Sequence, residues 1–164
     1  MLKILVVYYS RTGFTSTISR QIAGICNAEF ESIKLVEKRN SAIGYIQSAC
    51  EATMHMQTPT RRIMHTPENY DIIVIGTPVW CRNIASPIRT YIHDHRHQFT
   101  QVAFFCTSGG SGQKKVLRDL EKLAGKAPIA TLSLTDDEIK AGMHHDPIIE
   151  FVARLQNAVN TTNQ

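Results

Sequence analysis

The sequence predicts an α/β fold: one doubly wound domain over residues 1–164, with a five-stranded parallel sheet of order 2-1-3-4-5 and helices on both faces. Three observations carry that expectation. Short apolar runs rich in β-branched and aromatic residues alternate with longer segments of helical spacing. Three runs, 3–9, 71–76 and 101–106, are apolar without interruption, as strands covered on both faces must be. Two others, 29–35 and 127–134, are more polar or alternate, which suits the edges of a sheet. Placing the apolar three inside and the polar two outside yields the order 2-1-3-4-5.

Each element has its own signal. Residues 3–9 form the first strand, and Ile18, Ile22 and Ile25 mark the inner face of a helix that follows Thr15. Residues 29–35 are the second strand. Ile43 and Ile46 start a weaker helical pattern that runs to about Ala52, and 57–69, with Pro59 and Pro67, is the one long irregular connection. After the third strand, 71–76, come Ile84, Ile88, Tyr91 and Ile92, with Ser86-Pro87 offering an N-cap and a first-turn proline. The fourth strand, 101–106, precedes Val116, Leu117, Leu120, Leu123 and Ala124. The fifth, 127–134, precedes Ile148, Ile149, Val152, Leu155 and Val159, where Asp146-Pro147 gives the same helix-start signal.

Composition narrows the class. With 43% hydrophobic and 20% charged residues the chain reads as an ordinary globular protein. No apolar run approaches the ~20 residues that span a bilayer, so no membrane is expected. The apolar start has no small-residue cleavage site and does not read as a signal peptide. Cys26, Cys50, Cys81 and Cys106 are widely spaced, which points to reduced thiols and a cytoplasmic location. The net charge of +4 invites a nucleic-acid reading. However, Lys114, Lys115, Arg118, Lys122 and Lys126 share their segment with Asp119 and Glu121 and have no interleaved aromatics, so they read as a solvated helix face and no nucleic acid is expected. His93 and His97, four apart, find no third ligand in the sequence, nor do His144 and His145, and no metal is expected.

In a doubly wound sheet, ligands sit beyond the carboxyl ends of the strands. The loop after the first strand reads Ser10, Arg11, Thr12, Gly13, Phe14, Thr15 and opens into a helix. Unpaired N–H groups and a partial positive charge at that helix start favour a phosphate. Gly13 lets the backbone curl, and Ser10, Thr12 and Thr15 offer hydroxyls. The loop has no Walker lysine and no G-x-G-x-x-G, which argues against nucleoside triphosphates and dinucleotides. After the third strand, Thr77, Pro78, Val79, Trp80, Cys81, Arg82 and Asn83 bring the only tryptophan to a strand end, an apolar face for a planar ring. After the fourth, Thr107, Ser108, Gly109, Gly110, Ser111 and Gly112 allow close backbone approach to a ring edge. A phosphoacceptor receiver would need clustered acids after the first strand, and a small cysteine phosphatase a Cys-x5-Arg loop. Tyr8, Tyr9 and Ser10 stand there instead.

Together the three loops resemble those of the flavodoxin-like family of proteins that bind flavin mononucleotide (FMN). The family's phosphate loop, S/T-x-T-G-x-T, is met by Ser10, Thr12, Gly13 and Thr15, and strand order and length extend the resemblance over nearly the whole chain. The resemblance implies that the first loop holds the FMN phosphate and the other two the isoalloxazine. It implies a redox protein that transfers electrons through a non-covalently bound flavin, with a redox partner protein or a small acceptor such as a quinone. An NAD(P)H-dependent FMN oxidoreductase of the quinone-reductase type is the alternative, and an interaction module that has lost its flavin is a third reading. Two departures bear on the choice. Many flavodoxin carriers are strongly acidic, whereas this chain is basic, and no aromatic stands between Cys106 and Phe151 to cover the second ring face. Arg11 and Arg82 are expected to favour the reduced, negatively charged flavin, and Cys81 is a candidate additional redox group.

Overall fold

A computed structural model of the chain describes residues 2–36 and 57–160. Five strands run parallel in one sheet: β1 (Ile4–Tyr8), β2 (Glu29–Ser32), β3 (Ile72–Trp80), β5 (Gln101–Ser108) and β6 (Thr131–Thr135). A sixth, β4 (Asn83–Ile84), pairs antiparallel with the end of β3. The sheet order is β2-β1-β3-β5-β6, so the parallel strands lie as the polarity argument predicts and β4 is an addition to them. The α-helices among the described residues are α1 (Phe14–Cys26), α2 (Ser86–His95), α3 (Gln113–Ala124), α4 (Asp136–Lys140) and α5 (His145–Asn160). None of the described helices is long and apolar enough to cross a membrane.

Successive side chains of a strand point to opposite faces, so a strand covered on both sides must be apolar at every position. On one face Ile4, Val6, Ile72, Val74, Ala103 and Phe105 pack with Ile18 and Ile22 of α1 and Ile148, Phe151, Val152 and Leu155 of α5. On the other, Leu5, Val7, Ile73, Ile75, Val102 and Phe104 pack with Ile88 and Ile92 of α2 and Val116 and Leu120 of α3. Edge strand β6 alternates exposed Thr131 and Ser133 with buried Leu132 and Leu134. At the other edge, β2 exposes Glu29 and Phe30.

The differences from expectation lie at element ends. The second strand stops at Ser32, and Leu35 instead bridges Thr60 in antiparallel fashion. Buried Glu31 ties the irregular connection to that edge by accepting the N–H groups of Met64 and His65 at 2.8 and 2.9 Å. The third strand runs on to Trp80, and Ile84, expected in a helix, belongs to β4. As a result α2 starts at Ser86 with Ala85 as its N-cap, and the Ser86 hydroxyl accepts from Thr58 at 2.8 Å. Asp146 falls in the first turn of α5, and Ile149 and Ile25, expected inward, are exposed. Helix α4 carries a capping box between Thr135 and Glu138. The helical pattern from Ile43 to Ala52 lies outside the described residues.

Gly76 pairs with Phe105 across β3 and β5, and a Cβ there would lie 2.1 Å from the Phe105 ring. Since Phe105 is fully buried, the ring has nowhere to retreat. Gly76→Ala is expected to destabilise the fold by about 3 kcal/mol, near the upper end for overpacking. Urea unfolding checks this, and Phe105→Leu in the same chain should recover part of the loss.

Candidate functional site

Parallel pairing sets Tyr8 beside Gly76, Pro78 beside Thr107 and Ser108 beside Thr135. The strands therefore end on one edge, and the segments that follow them meet there.

The first segment curls before α1. Gly13, at φ 100°, donates its N–H to the Ser10 hydroxyl at 3.2 Å and accepts from the N–H and hydroxyl of Thr17 at 2.9 and 3.0 Å. A Cβ at Gly13 would meet nothing within 4 Å, so the backbone faces open space. Thr12 is exposed, and Arg11 and Phe14 are half-buried. Thr15 is buried, and its hydroxyl shares a hydrogen bond of 2.8 Å with the buried hydroxyl of Thr107. These two predicted site residues thus join the first loop to the third.

The second segment is a hairpin. Thr77 is buried, and its hydroxyl accepts the Ala85 N–H at 3.1 Å and donates to the Pro78 carbonyl at 2.9 Å. Pro78, Val79 and Trp80 are half-buried, and the Tyr9 ring meets the indole edge-to-face at 5.6 Å and 90°. Cys81 and Arg82 make the exposed turn, with φ of 48° and 60°. Two successive left-handed residues match a type I′ hairpin turn, a geometry that favours Asn-Gly and strains other side chains. Buried Asn83 braces it: its amide donates to the Cys81 carbonyl at 3.0 Å and accepts from Lys115 at 2.9 Å.

The third segment has Thr107 and Ser108 buried and Gly109, Gly110 and Ser111 exposed. Gly110 has φ 146° and Gly112 φ 95°. A Cβ on Gly112 would lie 2.8 Å from Cα of Arg82, so glycine is what lets this loop lie on the hairpin. All three predicted loops are therefore joined, the first to the third through Thr15 and Thr107, the third to the second through Gly112 and Arg82.

Helices α1 and α3 begin at left-handed Gly13 and Gly112, and neither has a side-chain cap. Their first-turn N–H groups are thus left for a ligand or solvent. Helix α4, by contrast, is capped: Thr135 N–H donates to Glu138 at 2.7 Å and Glu138 N–H donates back at 3.2 Å. That cap holds the Glu138 carboxyl below its ordinary pKa. The edge can therefore hold an anion at an open helix start and a flat ring against Trp80.

Several neighbours carry no mark in the sequence. Tyr9 and Tyr8 read only as strand residues, yet Tyr9 sets the indole and the Tyr8 hydroxyl accepts from Ser16 at 3.4 Å. Asp136 Oδ2 approaches within 4.0 Å of the Cβ position of Gly109, and burial raises its pKa against the pull of Lys140. Lys140 lies 5.6 Å from the Phe14 ring centroid. The Thr-x-x-Glu spacing of 135–138 is the one sequence signal for this corner. Among the cysteines, burial pushes the Cys106 thiol up to about 12 and Cys26 to about 11, whereas Cys81 is exposed at the hairpin tip. No group of three or more His, Cys, Asp or Glu among the described residues could hold a metal.

The hydroxyl bridge between Thr15 and Thr107 makes a double-mutant cycle informative. Thr15→Val alone leaves a buried hydroxyl unpaired and is expected to cost about 2 kcal/mol. Adding Thr107→Val should cost less than the sum of the two single changes, measured by urea unfolding of flavin-free protein.

Known proteins share this architecture. A family model described as flavodoxin matches residues 3–144. A flavoprotein from Lactobacillus acidophilus NCFM, solved in complex with FMN, is 24% identical over 86% of this chain and 98% of its own, with a TM-score of 0.69. A putative flavoprotein from Bacteroides uniformis ATCC 8492 is 23% identical over 82% of this chain and 91% of its own, with a TM-score of 0.71. One from Bacteroides eggerthii DSM 20697 is 24% identical over 82% and 87%, with a TM-score of 0.70. The family match spans all three loops and the five parallel strands, and the chain belongs to the flavodoxin family.

Proposed function

We propose that this chain is a redox protein that passes electrons through FMN held without a covalent bond at the carboxyl edge of the sheet. FMN is the cofactor of the family, and the flavoprotein from L. acidophilus NCFM is described in complex with it. When bound, FMN supplies one- and two-electron chemistry, while the protein supplies orientation and electrostatics. The observation that carries the reading is the uncapped start of α1 behind left-handed Gly13, on the same edge as the half-buried Trp80.

The residues divide the work by chemistry. Ser10, Thr12 and Gly13, with the first-turn N–H groups of α1, suit a phosphate. Trp80, fixed by Tyr9, offers an apolar plane for one face of the ring, and the backbone of Gly109, Gly110 and Ser111 can approach the ring edge. Thr15 and Thr107 act as positioning residues, because their hydroxyls bond to each other. Arg11 and Arg82 bring positive charge to loops of this edge, which favours a reduced, anionic ring.

A partner protein or a small acceptor such as a quinone receives the electrons. The absence of any aromatic between Cys106 and Phe151 favours the second reading, an NAD(P)H-dependent oxidoreductase whose substrate stacks on the open ring face. Consumption of NAD(P)H with a quinone and no added reductase supports the enzyme; dependence on a separate reductase supports the carrier.

Titration of flavin-free protein with FMN tests the common core of both. Saturable binding with one FMN per chain is expected, and failure to bind at saturating FMN rejects the proposal. Gly13→Ala forces a Cβ into a left-handed position, a strain of about 1–2 kcal/mol, and should weaken FMN roughly tenfold. Arg82→Ala should lower the two-electron potential, read by equilibration with a reference dye; an unchanged potential removes Arg82 from this role.

A further inference from the structure

A concavity lies between α2 and α3, behind the hairpin of the second loop. It is an open groove of about 410 Å³ lined by Ile84, Arg89, Arg96, Lys115, Lys122 and Leu123, with Asp119. Four of the lining side chains are cations and one is a carboxylate. That carboxylate is already engaged, since Lys115 Nζ lies 2.6 Å from Asp119 Oδ2. Three cations are held in place by the fold: Arg89 donates to the Ile84 carbonyl at 3.0 Å, Arg96 to the Leu123 carbonyl at 3.3 Å, and Lys115 to Asn83 at 2.9 Å.

Helix dipoles do not account for this arrangement. Arg96 follows the last turn of α2 and Lys122 lies in the last turn of α3, where positive charge is favoured. Lys115, however, sits in the first turn of α3, and Arg89 is in the first half of α2, where the dipole gives a cation no help. The Lys115 and Asp119 pair also has its lysine on the N-terminal side, the weaker order for an i,i+4 pair. Mutual repulsion adds a further cost. Cations oriented into a concave surface focus a positive potential there, and an anion in the groove would offset that cost.

We propose that this groove binds a phosphorylated small organic molecule. Guanidinium forks match phosphate oxygens in pairs, and an oriented lysine adds a point charge. The volume falls in the range of small-molecule sites. Half-buried Leu123 gives one wall an apolar patch that a bare inorganic ion would not use. The site shares Lys115 with the brace of the hairpin, so an occupant competes with Asn83 for that ammonium group.

Amide chemical-shift mapping tests the assignment, with inorganic pyrophosphate and adenosine diphosphate titrated separately into protein pre-saturated with FMN. Saturable shifts at residues 84, 89, 96, 115 and 122 are expected, with the nucleotide binding at least as tightly as pyrophosphate. Lys122→Glu with Arg96→Glu, both exposed, should weaken binding at least tenfold and leave far-ultraviolet circular dichroism unchanged. No shifts at millimolar ligand, shifts confined to other residues, or insensitivity to the double change would overturn the proposal. Tighter binding of a poly-glutamate peptide at the same residues would overturn it in favour of an acidic protein partner. Because the map resolves individual residues, a groove that stays empty is told apart from loops at 10–15 and 107–112 that fail to take FMN.

Discussion

All of β1, residues 72–77 of β3 and residues 102–108 of β5 are shut away from water, with helices packed over both faces of the sheet. A strand in that position has no free side chain for chemistry, because each one is needed for packing on one face or the other. Parallel pairing then sends every strand to the same edge. Polar groups are left to the strand ends, as at Thr77, Thr107 and Ser108, and to the turns that leave the sheet, and alternating crossovers bring the turns after β1, β3 and β5 side by side. The location of the candidate site is thus a consequence of how the core is filled.

Loops so placed would drift unless something joined them, since each follows a different strand. Here the joints are few and specific. Buried hydroxyls of Thr15 and Thr107 bond across the gap between the first and third loops. Gly112 rests its backbone against Arg82, and Asn83 links the hairpin tip to α3 through Lys115. The turn at Cys81 and Arg82 has strained left-handed backbone at both positions, a conformation that persists only when its surroundings impose it. Asn83 and Gly112 are those surroundings, and they hold the indole of Trp80 where Tyr9 can brace it.

Helix starts divide along the same line. The start of α4 is closed by the Thr135 and Glu138 capping box, whereas α1 and α3 open behind left-handed glycines with no side chain over their N–H groups. A capped start gains stability from its own residues, while an uncapped one leaves hydrogen bonds for a ligand to complete. The basic residues divide too. Lys114 and Arg118 project into solvent, but Lys115 turns inward to Asn83 and Asp119, so one helix serves both as a solvated face and as a wall of the groove.

Fold class, strand order and the three loops could be read from the residues because burial on two faces leaves a plain mark: uninterrupted apolar runs inside, polar alternation at the edges. The first loop was legible as a turn into a helix, because Gly13 stands among hydroxyls just before the helical spacing of Ile18 and Ile22, and α1 does start behind left-handed Gly13. Ends of elements were not. That β3 runs on to Trp80 and turns back through β4 depends on Thr77 capturing the Ala85 N–H and on Gly112 leaving room for Arg82, contacts between residues far apart in sequence. The pairing of Thr15 with Thr107, the edge contact of Tyr9 on Trp80 and the inward turn of Lys115 were likewise decided only by packing. Sequence carries the periodicity that says which side of a strand or helix is covered. Which hydroxyl meets which, and whether a lysine faces water or an amide, depends on distances that exist only once the sheet has closed.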